Sequence, residues 1–180
     1  AERDKHLRSG DFLDVVRDPD DDSVSFLLGD VSGHGPEQAA LGTMMRSAWM
    51  GIASLPSTTL KDWVSVLDYV VRERRPTEDL FVTAVMGRVD VRRRMLHYVL
   101  AGHPPPIMLA PSVTGLPTGD PPLGVLPEAV VTLHSVELPE EWALLLITDG
   151  FYEGRVEPGA VERVGYDGFL DILRERADDP

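Results

Sequence analysis

The order of strand-like and helix-like segments along the chain is the feature that most restricts how it folds. Two segments rich in apolar and β-branched residues, 11–16 and 24–28, lie on either side of an acidic turn and predict a hairpin. Helices are predicted next at 37–53 and 60–71, the second from apolar residues at helical spacing. The remaining predictions are strands at 80–89, 95–100, 107–110, 130–136 and 143–148 and a last helix at 168–176. Because sequential strands favour antiparallel pairing, this order predicts a layered α+β domain.

The composition excludes several classes of protein. With 17 Lys and Arg against 30 Asp and Glu, the net charge is −13, so a nucleic-acid-binding surface is not expected. No apolar run approaches the roughly 20 residues of a membrane helix, and the N-terminus lacks the apolar stretch of a signal peptide. The absence of cysteine excludes disulfides and cysteine catalysis and suits a reducing compartment. We therefore expect one cytoplasmic domain over residues 1–180, with no nucleic-acid or membrane partner.

The predicted hairpin brings two carboxylates together. If its turn centres between Asp20 and Asp21, Asp11 lies directly opposite Asp30. Cross-strand Cβ atoms are about 5 Å apart, where like charges are destabilising, so the pair needs a proton or a cation between its members. Ligands that are all oxygen favour Mg²⁺, Mn²⁺ or Ca²⁺ over zinc. A turn displaced by one or two residues would instead leave both carboxylates solvated, and that alternative stays open.

A third carboxylate follows the apolar run 143–147. A continuous apolar run predicts a strand that is buried on both faces. At its end, Asp149 and Gly150 place a carboxylate at the rim of the core, beside a backbone that allows close approach. Because Asp-Gly is also a common turn dipeptide, a purely structural turn is the alternative.

A glycine-rich loop, 29–36, leads into the first predicted helix. Free N–H groups at a helix start can bind anions, but this loop lacks the Gly-Lys-Ser/Thr of a nucleotide P-loop. Ser32 and His34 are only two residues apart, so a serine hydrolase is disfavoured. His103, in a proline-rich bend, either faces the site or braces the loop. The basic clusters 72–75 and 92–94 are either solvated or docking surfaces for an acidic partner.

Six motifs in one order resemble the SpoIIE-like branch of the metal-dependent protein phosphatases, the protein phosphatase 2C-like (PPM) family, including its actinobacterial-type regulatory phosphatases. The motifs are Ser9-Gly10-Asp11-Phe12-Leu13-Asp14, Gly29-Asp30-Val31-Ser32-Gly33-His34-Gly35, Leu80-Phe81-Val82-Thr83-Ala84, Ala101-Gly102-His103-Pro104-Pro105, Pro121-Pro122-Leu123-Gly124 and Thr148-Asp149-Gly150. This resemblance implies a four-layer αββα sandwich of two antiparallel sheets flanked by helices, here lacking its last strand.

The resemblance also implies a site and an activity. Two Mn²⁺ or Mg²⁺ ions would be held by Asp11, Asp30 and Asp149, which are also the implied catalytic residues. The Val31 carbonyl would complete the ligands of the second ion. A metal-activated water would hydrolyse phosphoserine or phosphothreonine on a regulatory partner, with an anti-sigma factor antagonist as the implied substrate. The chain is thus expected to be a protein-serine/threonine phosphatase.

The sequence departs from the pattern of this family in three places. Ser9 replaces the first glycine of a Gly-Gly-Asp motif, and Leu13 replaces an aromatic residue. The family normally continues through a further helix into a strand with an acidic metal motif, so the domain is expected to be truncated at its C-terminus. Asp178 and Asp179 are an alternative source of that ligand. A catalytically weak or inactive partner-binding module with the same fold is the alternative function, and the oligomeric state, a dimer included, is left open.

Overall fold

Eight strands and three helices form the described part of the chain, which is residues 10–18, 21–154 and 163–177 of the computed structural model. The strands are β1 (Phe12–Asp18), β2 (Ser23–Val31), β3 (Val82–Asp90), β4 (Met95–Ala101), β5 (Ile107–Leu109), β6 (Val113–Gly115), β7 (His134–Glu137) and β8 (Ala143–Leu145). The helices are α1 (Pro36–Ala53), α2 (Leu60–Arg74) and α3 (Gly165–Ala177), and a 3₁₀ turn covers Asp149–Phe151. None of these helices has the length and apolar character that crossing a membrane requires.

The strands form two antiparallel sheets. One has the order β1-β2-β3-β4-β7 and the other the order β6-β5-β8. Strands that follow one another in sequence pair through short turns, as β1 does with β2 and β3 with β4. The predicted antiparallel α+β architecture is therefore confirmed.

Three apolar clusters separate four layers. The first packs the α1–α2 pair on the five-stranded sheet and contains Trp63. The second fills the space between the two sheets and contains Phe26 and Tyr98. The third joins the three-stranded sheet to α3 through Ile107 and Leu170. This order of helices, sheet, sheet and helix is the αββα sandwich that the resemblance implies.

Local sequence fixes the helix pair on its sheet. Thr59 begins α2 with a capping box, in which its hydroxyl accepts the Asp62 N–H at 3.3 Å and the Asp62 carboxylate accepts the Thr59 N–H at 2.8 Å. The buried indole of Trp63 meets that of Trp49 on α1 edge to face, with ring centroids 5.7 Å apart. The first turn of α2 and its packing on α1 are thus specified together.

Alternation along β2 decides which way the candidate metal ligand faces. Leu27 belongs to the cluster under the helices, whereas Phe26 belongs to the cluster between the sheets. Because successive side chains of a strand point to opposite faces, Asp30 shares the face of Phe26. It therefore faces the second sheet, near the end of β2.

Two strand predictions need correction. The strand predicted at 130–136 begins only at His134, because the Thr132 N–H donates to the Asp120 carboxylate rather than to a neighbouring strand. The strand predicted at 143–148 ends at Leu145 and is not buried on both faces, since Ala143 is exposed and Leu144 half-buried. Within the described ranges, β8 pairs only with β5 and so lies at a sheet edge.

Two further boundaries differ from the sequence prediction. The three residues of β6 were not predicted, because a strand this short carries too few residues to show an alternating pattern. Helix α3 begins at Gly165, three residues before the predicted start. The first difference lies at the edge of the three-stranded sheet and the second in the outer helix, so neither changes the strand ends that carry the candidate ligands.

Candidate metal centre

The ends of β1 and β2 bring the first two candidate ligands together. Phe12 pairs with Gly29 in the ladder, and the Val31 N–H donates to the Gly10 carbonyl at 3.3 Å. This register places Asp11 opposite Asp30, so the predicted pairing is confirmed and the displaced turn is excluded. On the other side of β2, Thr83 of β3 is the partner of Asp30.

The electrostatics of Asp30 show that the third carboxylate lies near this pair. Burial, followed by the charges of Asp11 and Asp149, raises the pKa of Asp30 to about 6. The pKa of Asp149 is also raised, first by burial and then by the charges of Glu153 and Asp11. Asp11, Asp30 and Asp149 therefore repel one another across the gap between the sheets, and a cation would relieve that repulsion.

Gly10 leaves room for the oxygen atoms of the site. A Cβ at this position would lie 2.5 Å from the Val31 carbonyl oxygen and 2.9 Å from Asp30 Oδ1. Because Gly10 has no side chain, a space remains that is lined by both the Asp30 carboxylate and the Val31 carbonyl. Carboxylate and carbonyl oxygens are ligands that Mg²⁺ and Mn²⁺ accept, so the residues present fit the implied ions.

The carboxylates are near one another without forming a closed ligand cage. Among the residues that the structure describes, no three His, Asp or Glu side chains converge closely enough to hold one ion. The assignment of Asp11, Asp30, Val31 and Asp149 as ligands therefore stays a prediction, and Asp178 and Asp179 lie outside the described residues.

Asp149 stands on a short turn that also presents a second acidic residue. The 3₁₀ turn follows β8, and the Glu153 N–H donates to the Asp149 carbonyl at 2.9 Å. Glu153 raises the pKa values of both Asp149 and Asp30, and it forms an ion pair with Arg163 at 2.7 Å. Glu153 was not predicted from the sequence, although its spacing of four residues from Asp149 is the spacing at which side chains of one turn come close together.

His103 is buried beside the carboxylates. Of the two roles that the sequence left open, facing the site or bracing the loop, this position favours the first. Its side chain is 6% exposed, and its Nδ1 atom lies 3.2 Å from Thr83 Oγ1. Burial lowers the pKa of His103 to about 4, and the nearby Ile147 backbone and the charge of Asp11 act in the opposite direction. The imidazole is therefore neutral at physiological pH.

The glycine-rich loop has a bracing role in the structure. Ser32 accepts the Phe81 N–H through its hydroxyl at 3.1 Å and donates its own N–H to the Phe81 carbonyl at 3.0 Å. His34 is exposed. Since the Ser32 hydroxyl is engaged by the backbone and His34 points away from the core, nothing in this loop supports a serine nucleophile.

The basic clusters hold loops in place. Arg72 forms an ion pair with the buried Asp68 at 2.7 Å, and Arg75 donates to the Gly124 carbonyl at 2.9 Å. Arg94 donates two hydrogen bonds to one backbone carbonyl. These three side chains therefore have structural partners, and the docking-surface interpretation is not needed to explain them.

A groove that the sequence analysis did not predict extends from the candidate centre along α1. Its volume is about 530 Å³, and its lining includes Asp11, Leu13, Thr43, Arg46 and Met50. The Arg46 Nε atom donates to the Asp14 carboxylate at 2.9 Å, while about half of its side chain is exposed. Arg46 lies in none of the six motifs, so only the packing of α1 on β1 reveals that a guanidinium stands beside the site.

The layered fold is that of the PP2C-type phosphatase domains. The SiaA-PP2C domain of Pseudomonas aeruginosa shares the fold with a TM-score of 0.79 and 24% identity, over 96% of this chain and 68% of that one. The RsbU and RsbW domains of Rv1364c from Mycobacterium tuberculosis give a TM-score of 0.77 and 26% identity, over 98% of this chain and 46% of that one.

The chain belongs to the family of Stage II sporulation protein E (SpoIIE), whose family model matches residues 20–180. Phosphoserine phosphatase RsbP of Bacillus subtilis is 26% identical over 168 residues, which are 89% of this chain and 39% of RsbP. The chain thus spans less than half of the length of RsbP and of the Rv1364c structure. The resemblance found in the six motifs is confirmed.

Proposed function

We propose that this chain is a metal-dependent serine/threonine phosphoprotein phosphatase of the cytoplasm. The observation that carries the proposal is the gathering of Asp11, Asp30 and Asp149 at one end of the sandwich, where the pKa values of Asp30 and Asp149 are raised. Clustered carboxylates of this kind are stabilised by divalent cations. Membership of the SpoIIE family and similarity to phosphoserine phosphatase RsbP support the same activity.

In such a site, the bound ions and the residues that hold them have distinct roles. Two bound Mn²⁺ or Mg²⁺ ions would supply a water of lowered pKa and neutralise charge on the phosphoryl oxygens. Asp30, whose pKa is raised by the charges of both other aspartates, would hold the ions together with Asp11 and Asp149. The Val31 carbonyl adds an uncharged oxygen that Gly10 leaves accessible. Because Asp30 lies on β2 and Asp11 directly precedes β1, the spacing of these two aspartates is set by the rigid sheet. Asp149 is presented by the short turn that follows β8.

We propose a serine-phosphorylated regulatory protein, an anti-sigma factor antagonist, as the substrate. The groove along α1 begins at Asp11 and has room for an extended segment beside the phosphoserine. Arg46 is held through Nε by Asp14, which leaves its two terminal nitrogens for an acceptor on that segment. A small aryl phosphate fills none of this groove, so we expect a lower kcat/KM for p-nitrophenyl phosphate than for the phosphoprotein.

Phosphate release from a serine-phosphorylated anti-sigma factor antagonist, with and without Mn²⁺, tests the proposal. We expect Mn²⁺-dependent release by the wild-type chain and loss of it in Asp149→Asn, because the substitution removes the charge of a proposed ligand. The matched control is Asp171→Asn, at an aspartate that is 68% exposed and lies on α3, the helix that packs on β6.

The result also separates the two functions that the sequence left open. A wild-type chain that binds the antagonist but releases no phosphate at any Mn²⁺ concentration would contradict the phosphatase and support the inactive partner-binding module. Equal activity in wild type and Asp149→Asn would contradict the assignment of Asp149.

A further inference from the structure

A second cavity lies on the five-stranded sheet, far from the candidate metal centre. Its volume is about 440 Å³, and its lining includes Leu60 at the start of α2 and Arg88 and His97 of the sheet. Arg88 follows Thr83, the ladder partner of Asp30, by five residues along β3. Because a strand rises by about 3.3 Å per residue, about 17 Å of strand separate the two positions. The cavity is therefore separate from the groove that begins at Asp11.

A row of polar residues crosses four strands of the sheet at this cavity. Arg88 pairs with Ser25 of β2 on one side and with His97 of β4 on the other, and His97 pairs with Ser135 of β7. Met86, two residues before Arg88, packs in the apolar cluster under the helices, so alternation along the strand places Arg88 on the same face. The His97 Nδ1 atom lies 2.8 Å from Ser135 Oγ. Arg88 and His97 therefore form the polar floor of the cavity.

The guanidinium of Arg88 is half-buried and has uncharged partners. Its Nε atom donates to Ser25 Oγ at 3.2 Å, and its Cζ atom lies 5.1 Å from the ring centroid of Trp63. Six other arginines of the described ranges form ion pairs with an aspartate or glutamate, whereas Arg88 has no such partner there. Because a cation that is partly removed from water is stabilised by an anion, the terminal nitrogens of Arg88 favour an anionic group in the cavity.

The walls of the cavity add a second cation and apolar surface. Lys61 of α2 lines it, as do the buried Leu60 and the half-exposed Leu133. The carboxylate of Asp62 accepts the N–H and the hydroxyl of Thr59 at 2.8 and 2.7 Å, and Asp62 does not line the cavity. The lining therefore combines positive charge with apolar contacts in a chain of net charge −13. The volume falls within the range of roughly 300–1,000 Å³ of small-molecule sites.

We propose that this cavity binds a small organic carboxylate with an apolar body. The two terminal nitrogens of Arg88 hold the carboxylate as a fork, since Nε is already used by Ser25. Lys61 adds positive charge at the mouth of the cavity, and the apolar body of the ligand packs on Leu60 and Leu133. The proposal does not depend on the metal centre, because none of the candidate metal ligands lines this cavity.

Three probe compounds test which chemical groups the cavity recognises. The chelator-treated full chain, labelled with ¹⁵N, is titrated with phenylbutyrate, with phenylbutanol and with inorganic phosphate. The reporter is the indole N–H resonance of Trp63, which contacts Arg88 and is assigned by its loss in Trp63→Phe. We expect phenylbutyrate to shift this resonance saturably. Phenylbutanol lacks the charge and inorganic phosphate lacks the apolar body, so each should bind at least roughly tenfold more weakly.

Two variants locate the binding. Arg88→Gln should reduce the affinity for phenylbutyrate at least roughly tenfold, because it removes the charged fork. Leu133→Ser, at a side chain that is 48% exposed, should weaken binding of phenylbutyrate without disturbing the core. The matched control is Arg17→Gln, at an arginine of β1 that is 72% exposed, which should bind phenylbutyrate like wild type.

The outcomes decide the proposal whether or not each variant folds. A Trp63 resonance that phenylbutyrate does not shift up to its solubility limit would overturn the inference. So would equal affinities for phenylbutyrate and phenylbutanol, or inorganic phosphate binding as tightly as phenylbutyrate. Wild-type affinity in a folded Arg88→Gln variant would place the carboxylate elsewhere and overturn it as well. If Arg88→Gln does not fold, the three titrations of wild type and the affinity of Leu133→Ser decide.

Discussion

Replacing Asp30 by asparagine should stabilise the metal-free chain at neutral pH. The pKa of Asp30 rises from 3.8 to about 6, mainly through burial and the charge of Asp11. Since each tenfold change in proton affinity is worth about 1.4 kcal/mol, the ionised carboxylate costs the folded state about 3 kcal/mol. Because Asp30 is only partly buried and water screens its neighbours, we expect about 2 kcal/mol of this to be recovered in Asp30→Asn.

The pH dependence follows from the direction of the pKa shift. A carboxyl group with a raised pKa in the folded state binds more protons when folded, so stability falls as pH rises from about 4 to about 6. Asp30→Asn removes that fall. The free energy of unfolding of Asp30→Asn should therefore exceed that of wild type by the full amount at about pH 7.5 and by about half that amount at about pH 5.

Urea denaturation of chelator-treated protein at the two pH values measures both effects, with Asp171→Asn as the control. Adding Mn²⁺ should make wild type more stable than Asp30→Asn, because an ion that binds only the folded chain stabilises it by mass action. Asp30→Asn should be stabilised little by Mn²⁺. A metal-free variant that is no more stable than wild type at neutral pH would refute the argument that the carboxylates repel one another at this site.

Two further substitutions test the surroundings of the centre. Gly10→Ala should cost about 1 to 3 kcal/mol and weaken Mn²⁺ binding, because the new Cβ meets the Val31 carbonyl; Gly51→Ala, whose Cβ meets nothing within 4 Å, should not destabilise the chain in the same melts. Asp68→Asn should lower the free energy of unfolding by about 2 kcal/mol, because it removes the charge that Arg72 and the Gly124 N–H share. An unchanged free energy of unfolding in Asp68→Asn would mean that solvent replaces the contacts of the Asp68 carboxylate.

The hairpin could be predicted from the sequence because its information is local. The acidic turn fixes the register, and the register alone decides that Asp11 faces Asp30. The first two helices could also be predicted from the sequence. In α2, for example, the apolar spacing and the capping box lie within one segment. Each of these features depends on residues that are near one another in the chain.

The rest of the site depends on packing between distant segments. Nothing near His103 in sequence indicates that its ring meets the hydroxyl of Thr83. In the same way, Arg46 lies beside the centre only because α1 packs on β1. The burial of β8 was predicted wrongly for a related reason, because a run of apolar residues shows that a strand is buried but not how many of its faces are covered.

The strand ends that carry the aspartates are held by contacts that do not involve the aspartates themselves. The Val31 N–H bonds to the Gly10 carbonyl, and Ser32 and Phe81 exchange two hydrogen bonds where β2 passes β3. These backbone contacts fix Asp11 and Asp30 in register despite their mutual repulsion, so the free energy of the core offsets the cost of the clustered charge. The part of the site formed this way is preorganised on the five-stranded sheet.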